Sequence, residues 1–394
     1  MRHHRSVADR ITRGDQLGWF TAGDGKAPRS LAIPPDVTPV WEPDGPRYAF
    51  LRLTPFFAGD SVFVGSADSI WSYPIGGAGM ALSWLPRAEG LLVLVMAGSG
   101  SSSLVKVELP TGRTSVLVDS LDAPAGPPPP FALAPDGQRV VIALAGLGAP
   151  DPEVRNLPQA RRRLGIYEVD LATGRRRPIV PPTEYSDAFA PSIGGENLFW
   201  TTTESSVSIV VLPAAGGSAR EVVSGAFLPT WQPDGRRIGF AYGEWRMADW
   251  PLNWDGGAIE VDGDGGPAGP LTPLIAGCHE DFSPVWSPVG GWVAYHSHRS
   301  KHPVAGYYSP DATDDIWLRR TGVPAHDSTE IQLTDFGFEA GSPSWSRDGS
   351  RIVFSPWETG GPARAAHPYY VRIDKATGRP LKRGGYRFRR RSRT

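Results

Sequence analysis

Two short segments carry most of the chemistry-bearing residues of the chain. His279-Glu280-Asp281 places an imidazole beside two carboxylates, and His296-Ser297-His298-Arg299 sets two histidines two residues apart. Imidazole nitrogens and carboxylate oxygens together are ligands for zinc, manganese or iron, and the same pair can act as general base and acid. The metal candidates are therefore His279, His296 and His298. The acid–base candidates are His279, His298, Glu244, Glu280 and Glu358. A third group is aromatic: Trp245, Trp250 and Trp254 fall within one stretch, and Trp357 lies a hundred residues further on. Indole faces stack on sugar rings and on cations. With Arg299 these four form the candidate ligand-binding set.

These residues are distant in sequence, so repeated elements must gather them. Pro39-Val40-Trp41-Glu42-Pro43-Asp44-Gly45 is echoed at Pro229-Thr230-Trp231, at Pro284-Val285-Trp286 and at Pro343-Ser344-Trp345, each with a turn and a following apolar strand. Weaker copies centre on Trp84, Leu133 and Ile193, giving intervals of 38 to 60 residues. Asp-Gly turns suit tight hairpins because Gly and Asp tolerate positive φ. Two more strands follow in most units, as in Leu104–Leu109 and Thr114–Val118. Four short antiparallel strands per unit predict an all-β fold, a β-propeller of seven blades, or six if the copy near Ile193 is not a blade. The last unit lacks an obvious fourth strand, and Arg29–Ile33 is expected to supply it and close the ring. The first strand of each blade should line the channel. Counting from the repeat Trp then brings Asp187, Glu280 and Glu339, and at the exit of the second strands Glu204, Glu244, Arg299 and Glu358, to one mouth. Trp71, Trp200, Trp292 and Trp317 lie in strand patterns and are expected in the core.

The Pro-x-Trp-Ser-Pro-Asp-Gly turn with its Ile-Ala-Phe-type strand resembles the TolB-like propeller repeat over roughly Val37 to Asp374. That repeat also occurs in the propeller domains of tricorn-like and prolyl-oligopeptidase-type proteases. The resemblance implies a scaffold that hosts binding modules, lyases, hydrolases and protease gates. It also implies structural blade-to-blade roles for Asp281 and Arg299. His296-Ser297-His298 is similar, superficially, to the His-x-His of propeller oligogalacturonate lyases, where histidines hold a metal. No Gly-x-Ser-x-Gly elbow is present, so serine-protease chemistry has no nucleophile.

Composition sets the outer bounds. The 47 Gly and 40 Pro among 394 residues are nearly double the usual share of roughly 12% and exclude a mostly helical chain. With 40% hydrophobic residues and 14 Trp, the chain is not disordered. A formal charge of −1 gives no global argument for nucleic acid. Cys278 is the only cysteine, which excludes an intrachain disulfide and a Cys-built zinc site. No apolar run is long enough to cross a membrane, and Met1–Phe20 lacks the apolar core of a secretory signal. The expected location is cytoplasmic, or periplasmic or secreted if an upstream signal was removed. The expected organisation is an N-terminal extension over 1–28, one propeller over 29–380 and a basic tail over 381–394. Three functions fit: a protein binding a small molecule, saccharide or protein partner at one face, an enzyme there, or a structural hub that uses the basic tail. The enzyme would use a His or Glu base, with or without a divalent metal, in lyase or hydrolase chemistry on a saccharide or small metabolite.

Overall fold

A computed structural model describes residues 18–19, 31–32, 39–53, 58–66, 69–96, 101–121, 123, 131–134, 136–145, 164–180, 189–194, 197–202, 208–213, 220–242, 255–263, 265–275, 280–298, 314–324, 329–334, 339–357 and 369–381. Nearly all of them are strand or tight turn. The repeat turns form because glycine takes a left-handed backbone: φ lies between 66° and 77° at Gly137, Gly235, Gly290 and Gly349. Each of these amides donates back to the carbonyl three residues before, at 2.8–2.9 Å.

Among the described residues the turns link six four-stranded sheets and one three-stranded sheet, all antiparallel. Blade one is Val40–Trp41, Tyr48–Leu53, Ala58–Gly65 and Ile70–Pro74; blade two is Ala78–Trp84, Gly90–Met96, Ser102–Glu108 and Thr114–Leu121. Blade three is Phe131–Leu133, Arg139–Ala145, Leu164–Asp170 and Arg176–Val180; blade four is Phe189–Gly194, Asn197–Thr202, Ser208–Pro213 and Arg220–Ser224. Blade five is Ala226–Trp231, Arg237–Tyr242, Asp255–Glu260 and Thr272–Ile275; blade six is Glu280–Trp286, Trp292–His298, Asp314–Arg320 and Glu330–Gln332. Blade seven is Glu339–Trp345, Arg351–Trp357 and Tyr369–Arg372.

Each sheet touches the next, and the first strand of blade seven touches that of blade one, so the sheets form a ring. First strands lie against first strands over most of the circle, which places them nearest the axis. Apolar side chains fill the seams between sheets, as in Trp292, Ala294, Ile316 and Leu318 of blade six against Trp345, Ile352 and Phe354 of blade seven. Trp71 departs from its expected place in the core: it is 45% exposed on Ile70–Pro74, the outer edge strand of blade one.

The repeat Trp does more than fill space. Trp84 Nε1 donates to the Val40 carbonyl at 2.8 Å, Trp345 Nε1 to Val285 at 3.0 Å, and Trp41 Nε1 to Ser344 at 2.9 Å. Each acceptor is the residue just before the repeat Trp of the preceding blade. The bond from Trp41 reaches blade seven and closes the ring. The strand expected to complete blade seven from the N-terminal side pairs elsewhere: Leu31–Ala32 is matched to Gly18–Trp19. Closure instead uses this indole, the Arg347–Asp44 ion pair and a packed group of Trp41, Tyr48, Phe50, Val353 and Tyr370.

The turn of blade seven makes stability depend on acid. Asp348 Oδ1 accepts from Ser346 Oγ at 2.7 Å and Asp348 Oδ2 from Ser350 Oγ at 2.6 Å. Desolvation pushes the Asp348 carboxyl up, but these hydrogen bonds outweigh it and bring the carboxyl down to about 2. A depressed carboxylate adds stability above its unfolded value, near 3.8, and loses it as pH falls toward 2. Urea unfolding from pH 5 to pH 2 is expected to show a shallower loss of stability for Asp348→Asn than for the wild type. Parallel curves would contradict this assignment.

No helix among the described residues is long and apolar enough to cross a membrane.

Candidate functional site

In every blade the first strand starts, and the second strand ends, at the same end of the sheet; the glycine turns occupy the other. The long connections 146–163, 243–254, 299–313 and 358–368 therefore leave and re-enter the sheets at one mouth of the ring, here the link end. Of the residues expected to converge there, Glu280 and Glu339 stand at this end, and Asp187, Glu204, Glu244, Arg299 and Glu358 lie outside the described residues.

Blade six carries the central row. Glu280 pairs in register with His298, and His298 with Asp314, so an imidazole-bearing residue stands between two acidic ones on three adjacent strands. One residue inward, Asp281, Ser297 and Asp315 form a second row, all buried. Asp315 anchors this row: its Oδ1 accepts from Thr334 Oγ1 at 2.6 Å and its Oδ2 from Gln332 Nε2 at 3.0 Å. Thr334 Oγ1 in turn accepts from the Ile316 amide at 2.9 Å. Buried carboxylates need such partners, because an unpaired polar group away from water costs several kcal/mol at the extreme. The hydrogen bonds tie the third and fourth strands of blade six together just below the Glu280–His298–Asp314 row.

Neighbouring blades extend the row. In blade seven Glu339 pairs with Trp357, and in blade five Tyr242 pairs with Asp255. Burial, and secondarily the Asp255 carboxylate, push the Tyr242 phenol up. Blades one to four look different. Their paired termini at this end are Leu53–Ala58, Met96–Ser102, Ala145–Leu164 and Thr202–Ser208, without a charge among them. At these described strand termini the link end is thus acidic and aromatic over blades five to seven and uncharged over blades one to four.

The sequence candidates distribute as follows. Glu280, His298 and Trp357 stand at strand termini of the link end. His296 lies two residues inward and is 6% exposed, in register with Phe282 and Ile316. His279, Glu244, Glu358, Trp245, Trp250, Trp254 and Arg299 lie outside the described residues. The connections that contain them begin and end at the link end. Among the described residues no three His, Cys, Asp or Glu side chains cluster to hold a metal. Asp255 and Asp314 escaped sequence reading because they open third strands, which the repeat Trp does not index; continuing the count to Asp315-Ile316-Trp317 would have found Asp314.

No protein-family model matches the chain, and no curated protein sequence matches it. Solved structures do. TolB from Acinetobacter baumannii shares 15% identity at a TM-score of 0.50, covering 77% of this chain and 67% of its own. An oligogalacturonate lyase from Vibrio parahaemolyticus shares 10% at 0.58, covering 86% and 90%. The propeller domain of the trilobed protease from Pyrococcus furiosus, described as having an open velcro topology, shares 8% at 0.55, covering 84% and 93%. At such identities the likeness is one of architecture: the chain is a β-propeller, as TolB and these other proteins are, and no protease domain is found among its described residues.

Proposed function

We propose that the protein binds a neutral saccharide, or a ligand as rich in hydroxyl groups, at the link end of blades five to seven. The observation that carries this is the row Glu280–His298–Asp314 beside the Glu339–Trp357 pair. Carboxylates accept hydrogen bonds from paired hydroxyls, and an indole offers a face to the C–H side of a sugar ring. The likeness to an oligogalacturonate lyase fits a saccharide on this architecture, but the charge does not suit a polyuronate. Four acidic residues, Asp255, Glu280, Asp314 and Glu339, stand at these strand termini with no Lys or Arg at any of them, and like charges repel.

A second reading rests on the same row. A row that holds a histidine between two acidic residues suits proton transfer. Lyase or hydrolase chemistry at His298 with Glu280 is that alternative.

Titration of intrinsic tryptophan fluorescence with neutral and uronic oligosaccharides separates the two. The wild type is expected to respond to neutral sugars, with Glu280→Gln binding about tenfold more weakly, as for one hydrogen bond to a charged group. A response confined to uronic sugars, or to none, would refute the proposal. Appearance of a cleaved product would favour the enzyme.

A further inference from the structure

At the turn end, opposite the link end, the blades follow a rule that blade seven breaks. Just before the second strand, blades one, three, five and seven each carry an arginine: Arg47, Arg139, Arg237 and Arg351. In the first three a carboxylate holds the guanidinium. Arg47 Nε and Nη2 donate to the two Glu42 oxygens at 3.0 and 2.6 Å. Arg139 reaches Asp136 at 3.1 Å and Glu168 at 3.0 Å, and stands in register with Asp170. Arg237 is paired with Glu260, which is also its partner in strand register. In blade seven the residue in register with Arg351 is another arginine, Arg372.

Like charges directly opposite on neighbouring strands repel, and the acids of the adjoining turns are engaged elsewhere. Asp348, the counterpart of Asp136, accepts from Ser346 and Ser350. Asp374 accepts from the Ala376 and Thr377 amides at 2.9 Å, and Asp44 is paired with Arg347. Among the described residues neither the Arg351 nor the Arg372 guanidinium has an acidic partner. The two lie on one face of the sheet. Ile352, Phe354 and Val371 pack toward blade six, whereas Val353 and Tyr370 pack toward Trp41, Tyr48 and Phe50 of blade one. Strand alternation puts Arg351 with Val353 and Arg372 with Tyr370, at the rim of the joint with blade one. Arg372 is exposed and Arg351 half-buried, and Tyr369–Arg372 is the outermost described strand of its sheet, so a solute can reach the pair.

Blade seven thus forgoes a stabilising pair that the same chain builds three times. A local choice that opposes the rest of the fold marks a functional position. Two guanidiniums side by side present two positive charges and a double fork of N–H donors. A phosphate group, with close to two negative charges and at least three acceptor oxygens, balances both; a single carboxylate balances one. We infer that Arg351 and Arg372 form a binding site for a phosphate group, free or carried as a monoester by a small molecule. The site lies at the other end of the ring from the proposed saccharide surface and does not depend on it.

Thermal unfolding of the full chain, at an ionic strength held constant with sodium chloride, tests the site. Inorganic phosphate at about 10 mM is expected to raise the wild-type midpoint by about 2 °C, the rise for a Kd of about 1 mM. Arg372→Glu gives blade seven the arginine–glutamate register of blade five. Without phosphate it should unfold at a higher temperature than the wild type, and phosphate should add nothing specific. Arg351→Gln should need about tenfold more phosphate for the same rise, as for one lost hydrogen bond to a charged group. Arg175→Gln, at an exposed arginine of blade three, should respond as the wild type does, and the general salting action of phosphate is common to every variant. Equal rises in the wild type and Arg372→Glu would overturn the inference, as would an equal rise with acetate. Glycerol phosphate, run beside inorganic phosphate, distinguishes the two sources. A rise with either supports the site, and a rise with neither overturns it.

Discussion

Trp41→Ala is expected to lower the unfolding free energy by about 3–5 kcal/mol, the range for truncating a buried Trp. Trp41 is 7% exposed, packs edge-on against Tyr48 at 5.5 Å and Tyr370 at 6.4 Å, and donates across the seam to Ser344. Alanine removes the ring, its contacts and the bond together. Trp41→Phe keeps much of the volume and deletes the donor, leaving the Ser344 carbonyl without it, so about 1–3 kcal/mol should be lost. Trp71→Ala, on the exposed outer strand, should stay within about 0.5 kcal/mol. Urea unfolding of the three variants reads these differences as shifts in midpoint at constant slope. Equal losses for Trp41→Phe and Trp71→Ala would show that the indole bond contributes nothing to closure.

Arg319→Met should be comparably damaging, by about 3–5 kcal/mol, the usual cost of removing one partner of a buried ion pair. Arg319 is 2% exposed; its Nη1 lies 3.6 Å from Glu330 Oε1 and its Nη2 donates to the Val323 carbonyl at 2.9 Å. Burial depresses the guanidinium pKa and the Glu330 carboxylate works against that. Trp317, two residues earlier on the strand, packs with Ala258, Leu274 and Trp286 at the boundary with blade five, so Arg319 faces the same way. Methionine would leave the Glu330 carboxylate in this seam without its guanidinium. The double change Arg319→Met/Glu330→Leu removes both charges and should recover most of the loss, since apolar replacements of buried pairs are often neutral or better. Thermal unfolding of both variants decides the matter. A double variant as unstable as the single one would mean that packing, not charge, governs this position.

The parts of the fold visible in the sequence were those written several times. Trp41, Trp231, Trp286 and Trp345 with their glycine turns declare the hairpins, because one geometric requirement is met by nearly the same residues in these four blades. Register then delivers Glu280 and His298 to one row, as the count from Trp286 anticipated. Other features have no repeated marker. Nothing in Arg29–Ile33 distinguishes a strand that completes blade seven from one that pairs with Gly18–Trp19. Asp314 lies beyond a connection of variable length, so the count from the repeat Trp stops short of it and only the strand pattern Asp315-Ile316-Trp317 points to it. The burial of His296 follows from strand alternation: it shares the face of Trp292 and Ala294, which blade seven covers. Its neighbours in sequence do not reveal that face.

The indole of Trp41 also has a mechanical meaning. Among the described residues the joint between blades one and seven contains no shared backbone ladder, only side chains that reach across to side chains and to main-chain carbonyls. Two sheets held in this way can part like the ends of a split washer, without any sheet losing a strand. Deformation of the ring under load should therefore begin at that joint.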